Sequence, residues 1–215
     1  MPEAPTTDDF ELLLRWRSGD RSAGDALLRR HFRSLYAFFA NKTGGPVDDL
    51  IQESFKACVE GRDRIREGAS FRAYLLAVAR NQLYRHYARH EAVEFDPEKT
   101  SVAQLTTSPS VLIANAQSQR YLLAALRAIP LELQIVIELS YWEELSAREL
   151  GEALEVPEGT AKSRLRRARQ ALLEQFHAIY GAADLSTHTI DDLDRWAMSI
   201  REELAVRNVR RQSSP

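Results

Sequence analysis

The densest chemistry in the chain lies between Thr160 and Gln170, where five basic side chains (Lys162, Arg164, Arg166, Arg167 and Arg169) occur without an acid. On a helix turning about 100° per residue, Ala161, Leu165, Ala168 and Leu172 share one side. Ser163, Arg166, Arg167 and Gln170 share the other, flanked by Thr160 and Lys162. An arginine can pair bidentately with a guanine edge, and Lys, Ser and Thr hold phosphates or read base edges, so this face suits the major groove of DNA. The competing reading is a solvated basic face on a bundle helix, because a charge run alone is weak evidence.

A second basic stretch runs from Arg62 to His90, with seven arginines (62, 64, 66, 72, 80, 85 and 89) against Asp63 and Glu67. Tyr74, Tyr84 and Tyr87 interleave with them. Arginines that take phosphates and aromatic or polar side chains that hold splayed bases suit an opened nucleic-acid strand. Asn81 is the candidate for a base, since an amide offers a paired donor and acceptor. Arg80 and Arg85 are candidates for the backbone, and Tyr84 for stacking. Core packing competes for Phe71, Tyr74 and Val78, and is favoured for Phe71 and Val78. A third group sits in Asp48–Phe55: Leu50, Ile51 and Phe55 pack inward and leave Asp49, Gln52 and Glu53 outward for a basic partner. Acids that merely complement a helix N-terminus are the plain alternative. His86 and His90 stand at i, i+4, a spacing that suits a metal, but no third ligand is evident. With no nucleophile–base constellation or phosphate loop either, no catalytic residue, metal site or cofactor is expected.

These groups need helices to carry them. Gly and Pro cluster at a few points, among them Gly44-Gly45-Pro46, Pro130 and Pro157-Glu158-Gly159. Between them apolar residues recur at helical spacing, and no convincing strand pattern occurs. Ser146-Ala147-Arg148-Glu149 fits a capping box that opens a short helix with Leu150, Ala153 and Leu154 on its apolar face. Pro157 then suits the start of a second helix that reaches about Ala178. Two short helices with a tight turn, the second basic outside, describe a helix-turn-helix. From Glu91 to about Ser110 the helical pattern stops and turn chemistry takes over, which marks an interdomain linker. A last amphipathic stretch places Ile190, Leu193, Ala197, Ile200 and Leu204 on one stripe, with Trp196 at its edge.

The whole chain has 215 residues, 29 Lys plus Arg, 31 Asp plus Glu and a formal charge of -2. That balance excludes a uniformly basic nucleic-acid binder and leaves room for basic patches offset by acidic ones. One cysteine, Cys58, excludes an internal disulfide framework and a cysteine-rich zinc site, and points to a reducing, cytoplasmic compartment. No apolar run approaches the roughly 20 residues of a bilayer span, and the polar start does not read as a secretory signal.

Leu123 through Leu173, with Ile129-Pro130 and the string Gly159-Thr160-Ala161-Lys162-Ser163-Arg164-Leu165-Arg166-Arg167-Ala168-Arg169, resembles region four of bacterial sigma-70 family factors, and specifically the extracytoplasmic-function (ECF) group. Asp48–Phe55 resembles that family's core-binding helix, and Ser70–Asn81 its promoter-melting segment. The resemblance covers about Asp20 to Glu174. It departs at Tyr74, where the family commonly has Trp, and at Arg85, where it commonly has Asp.

The resemblance implies an all-α protein: region two over 8–92, a flexible linker over 93–111 and a region-four helix-turn-helix over 112–178. The residues over 179–215 lie beyond it and read, from their own apolar stripe, as a C-terminal helical extension, regulatory in the expected reading. The resemblance implies −35 recognition through Thr160, Lys162, Ser163, Arg166 and Arg167. It implies −10 recognition and melting through Arg80, Asn81, Tyr84 and Arg85. Core RNA polymerase would meet Asp49, Gln52 and Glu53 through its beta-prime clamp helices, and its beta flap would meet the Leu131–Trp142 helix. Promoter DNA and an anti-sigma factor are the other expected partners. Two further classes remain open on the residues. A helix-turn-helix repressor or activator would use the same motif without binding polymerase. An enzyme with a basic groove would rest only on the His pair and scattered acids.

Overall fold

The computed structural model describes residues 8–65, 68–90, 95–106 and 117–180, apart from the side chains of 90, 117–119 and 180. The C-terminal extension, with its expected stripe from Ile190 to Leu204, lies outside the described residues. Among those described, the elements are α1 (Asp9–Arg17), α2 (Arg21–Ala40), α3 (Asp48–Gly61), a 3-10 turn (Arg62–Arg64), α4 (Phe71–His90), α5 (Val102–Leu105), α6 (Gln117–Ala128), α7 (Leu131–Tyr141), α8 (Ala147–Leu154) and α9 (Glu158–Tyr180). The all-α expectation holds throughout them.

Local chemistry starts and stops these helices. Asp20 caps α2 by accepting from the Ser22 and Ala23 amides at 3.0 and 3.2 Å. Asp48 and Asp49 lie in the first turn of α3, where carboxylates complement the positive helix end. In α3 the buried positions Ile51, Ser54, Cys58 and Gly61 repeat every three or four residues, as one buried helix face requires. Burial pushes the Cys58 thiol up to about 12, so it stays an inert part of the core.

The N-terminal helices pack around α4. Leu27, Leu35, Phe39, Leu75, Leu76 and Leu83 are fully buried there. In the C-terminal half, α6, α7 and α8 all pack on α9, with Ile135, Ile137, Ala161, Ala168 and Phe176 inside. The two halves share one continuous hydrophobic cluster, because α4 also packs against α8.

The segment expected as a linker carries more structure than its turn chemistry suggests. Phe95 packs on Tyr84 and Tyr87, with ring centroids 5.9 and 5.5 Å away. Val102 is fully buried, and the Thr100 and Pro97 carbonyls accept from the first amides of α7, Leu131 and Glu132, both at 2.9 Å. Those amides have no partner inside their own helix, so the segment satisfies them.

The deepest polar feature also joins the halves. Lys42, just after α2, is fully buried and its ammonium bonds the Glu138 carboxylate on α7 and the Phe38 carbonyl, the latter at 2.7 Å. The ammonium lies 3.9 Å from the Phe38 ring centre. Glu138 also accepts from Asn41 at 3.1 Å and from Gln134 at 2.7 Å. Burial pulls the Lys42 ammonium below its ordinary value, and Glu138 opposes that shift without cancelling it.

α1 crosses α2 at a glycine. A Cβ built on Gly24 would lie 2.4 Å from the Trp16 indole nitrogen. Gly→Ala inside a helix ordinarily stabilises by about 1 kcal/mol. Here Gly24→Ala is expected to destabilise instead, by about 1–3 kcal/mol of overpacking, measured as a lowered urea midpoint at unchanged slope. A raised midpoint would refute the close crossing.

Candidate nucleic-acid interface

The short helix α8 begins as its sequence requires. The Ser146 hydroxyl accepts from the Glu149 amide at 3.3 Å, and the Glu149 carboxylate accepts from the Ser146 amide at 2.9 Å, completing the capping box. Burial acts to raise the Glu149 carboxyl, but hydrogen bonds from the Ser146 backbone and hydroxyl outweigh it. With a bond from Ser70 and the charge of Arg72 they hold the group below its ordinary value. Glu155 ends α8 in the left-handed region at φ 57°, ψ 39°. The turn is tight: a Cβ on Gly151 would come 2.9 Å from the Val156 carbonyl oxygen. Only a residue without a side chain lets α8 approach the start of α9 this closely.

On α9 the faces divide as the periodicity predicts. Ala161, Ala168 and Leu172 are buried and Leu165 is half-buried. Lys162, Ser163, Arg166, Arg167 and Gln170 are exposed, and Thr160 is half-exposed. The five basic residues separate into two kinds. Arg164 pairs with Glu132 on α7, and the Arg169 guanidinium lies 5.3 Å from the Tyr141 ring centre, so these two fix α9 to its own domain. Lys162 reaches Glu158 one turn back at 2.6 Å, an exposed pair that screens easily. Arg166 and Arg167 are exposed, and with Lys162, Ser163 and Gln170 they form an exposed polar strip along α9.

The second predicted group lies elsewhere than on an open surface. Arg80 is buried, and its guanidinium donates to the Ala153 carbonyl at 2.8 Å and to the Glu155 carboxylate at 2.6 Å. Asn81 donates to the same Glu155 oxygen at 3.3 Å. Tyr84 packs on Phe95 and lies 5.9 Å from the Arg80 guanidinium, and burial pushes its phenol up to about 12. Of the four residues predicted for the opened strand, only Arg85 is exposed. Tyr87 is buried and its hydroxyl donates to the Lys42 carbonyl, so it is a core residue. Tyr74 is half-buried, with its hydroxyl against Gly61, and Phe71 is buried, as favoured for it. Arg66 and the side chain of His90 lie outside the described residues. Among those described, no group of three metal-type ligands occurs.

The third group is arranged as its pattern suggests. Asp49, Gln52 and Glu53 are exposed on α3, while Ile51 is buried and Leu50 and Phe55 are half-buried. Phe32 and Tyr36 on α2 are exposed large apolar side chains beside this face, with Phe32 6.4 Å from the Phe55 ring centre. Composition did not single them out, because their helix is strongly apolar along much of its length. Among the described residues, no helix is long and apolar enough to cross a membrane.

Comparisons with known proteins fall on the same segments. Residues 26–93 match the family model for sigma-70 region 2, and residues 119–172 match that for sigma-70, region 4. The chain is 31% identical over 168 residues to the ECF RNA polymerase sigma factor SigM of Mycobacterium tuberculosis, covering 76% of this chain and 82% of that protein. It is 24% identical over 175 residues to the ECF RNA polymerase sigma-E factor of Escherichia coli K12, covering 76% of this chain and 92% of that protein. A solved structure of CnrH in complex with the cytosolic domain of CnrY superposes with a TM-score of 0.56 at 24% identity, over 79% of this chain and 97% of that one.

The α8 cap gives a test with a definite sign. Removing it by Ser146→Ala is expected to cost about 1 kcal/mol near pH 7. Because the folded Glu149 carboxyl lies below its unfolded value, its contribution is present above that unfolded value and is lost as pH falls through the folded one. The difference between Ser146→Ala and the parent should therefore shrink by about pH 3, read by urea unfolding at both pH values. An equal difference at both would mean the carboxylate takes no part in the cap.

Proposed function

The chain belongs to the ECF group of the sigma-70 family and directs RNA polymerase in transcription initiation; from that premise we propose how its residues divide the work. The −35 element is read by α9, with Arg166 and Arg167 on base edges and Thr160, Lys162 and Ser163 on phosphates and edges. The observation that carries this reading is the exposed strip of α9 lying opposite its buried Ala161–Ala168–Leu172 face. Guanine edges in the major groove match the paired donors of an arginine, and phosphates match the lysine and hydroxyls.

Core polymerase is held by Asp49, Gln52 and Glu53 on α3, against the beta-prime clamp helices. Their exposure, with Ile51 turned into the core, supports this. The beta flap would take what α7 leaves uncovered, a small share, since Leu131 through Leu139 are mostly buried. Residues 8–92 act as region two and 112–178 as region four. Arg80, Asn81, Tyr84 and Arg85 serve the −10 strand once the contacts that occupy three of them are released. The factor carries no bond-making chemistry of its own; nucleotide addition belongs to the polymerase. It works in the cytoplasm, with promoter DNA and polymerase as partners and an anti-sigma factor as its natural restraint. A repressor or activator that works without polymerase would leave the α3 face without a purpose.

The deciding experiment mixes the protein with sigma-free core polymerase and a promoter library. Specific transcripts are expected, and absence of core binding would defeat the proposal. Arg167→Ala should lose −35 discrimination by about 1–3 kcal/mol for one bidentate contact, with core binding intact. Glu53→Lys should do the reverse, weakening core binding without altering DNA preference in the complexes that still form.

A further inference from the structure

Three of the four side chains assigned to the opened strand are occupied by the molecule itself. One carboxylate oxygen of Glu155 accepts from Arg80 at 2.6 Å and from Asn81 at 3.3 Å. Arg80 is also held by the Ala153 carbonyl at the end of α8. A guanidinium and an amide converging on one anionic oxygen repeat the pattern that a backbone phosphate would meet.

Glu155 stands at an unusual place for its type. Its backbone is left-handed at φ 57°, a cap position where Gly or Asn is usual because other side chains crowd the carbonyl. Local geometry therefore does not account for a glutamate there, whereas its contacts with α4 do. Two further contacts tie the same faces: Glu152 accepts from the Ser70 amide at 3.3 Å, and Arg148 donates to the Gly68 carbonyl at 2.9 Å. A cleft of about 580 Å³, lined by residues including Tyr74, Asn81, Glu152 and Pro157, runs beside these contacts. Polar contacts thus supplement the apolar packing of α4 on α8, and the open cleft leaves that edge of the contact unsealed. Lys42 and Glu138 join the halves from within.

We propose, resting on the reading above, that Glu155 is an internal stand-in for nucleic acid: in the free protein it occupies Arg80 and Asn81, and the buried Lys42–Glu138 pair holds that closed state until the two halves part. The helix-turn-helix then has two roles. Its second helix faces DNA outward, and its turn masks the strand-binding residues of the other domain.

The test uses the full chain without polymerase. Cysteines placed at the exposed Glu60 and Glu174 carry a donor and an acceptor dye, while the buried Cys58 stays unlabelled. Binding of a fluorescent single-stranded DNA of random sequence is read by anisotropy. Glu155→Asn, which the left-handed backbone accepts, and Glu138→Gln are each expected to lower energy transfer. Each should also tighten strand binding about tenfold, the scale of one charge-assisted hydrogen bond. Adding Arg80→Ala should abolish the gain. Unchanged transfer and affinity in Glu155→Asn would overturn the proposal, as would opening without tighter binding, or a gain that survives Arg80→Ala. The Glu155 side chain is 59% exposed, so this variant keeps the test valid if Glu138→Gln fails to fold. Because neither readout involves polymerase, failure of core binding would count against the functional reading alone.

Discussion

An ammonium and a carboxylate sit out of water between the two halves of the chain, and most of the architecture arranges itself around them. Lys42 is fully buried, Glu138 nearly so, and Asn41, Gln134 and the Phe38 carbonyl all bond to the pair. Two ions removed from water are tolerable only when the geometry is good and spare lone pairs and protons are used. Removing one partner of such a pair ordinarily costs about 3–5 kcal/mol, because the other charge is left buried alone. The pair therefore fixes the register of the N-terminal helices on α7. With that register set, α4 meets α8 and Arg80 meets Glu155.

The arginines show how one residue type is divided between structure and recognition. Arg164 and Arg169 lie on the same helix as Arg166 and Arg167, yet they face Glu132 and Tyr141 of their own domain. A guanidinium has a long apolar stem and a flat face, so it can both pack and pair. In α1, Arg17 donates to the Arg62 and Ile65 carbonyls, and Arg62 stacks toward Trp16 at 5.9 Å. Counting basic residues overstates the surface available to DNA. What matters is the subset whose heads find no partner within the fold.

How much could be read beforehand follows the range of each interaction. The capping box of α8, the turn after it and the two faces of α9 involve residues within about one or two turns of each other, so periodicity and spacing located them. The exposure of Asp49, Gln52 and Glu53 was legible for the same reason. Lys42 and Glu138 are 96 residues apart, and Arg80 and Glu155 are 75 apart. Nothing near either residue announces its partner. Arg80, Asn81 and Tyr84 were singled out by type and by family likeness, which indicate what a side chain can do but not whether it is occupied. Residues 95–106 offered turn chemistry, and the structure does contain turns there. Their anchoring by Phe95 and Val102, two apolar residues in a polar run, depends on surfaces supplied by α4 and the C-terminal half.

An ion pair set within an otherwise apolar contact has a physical consequence. A buried salt bridge adds little net stability compared with well-packed hydrophobic side chains of the same volume, yet it is unforgiving of misregister. A wholly apolar seam would hold the halves more firmly, and on separation would expose a larger greasy face prone to association. Lys42 and Glu138 behave in the opposite way, since each is well hydrated once released. The same holds for Arg80 and Glu155, which lie nearer the surface. A joint that includes such pairs closes in one register and, if opened, exposes charged groups among its apolar ones. The polar residues at the contact between α4 and the turn of the helix-turn-helix, Arg80, Asn81, Glu152 and Glu155, are partners across it when the halves are together and would be hydrated, charged surface if they part.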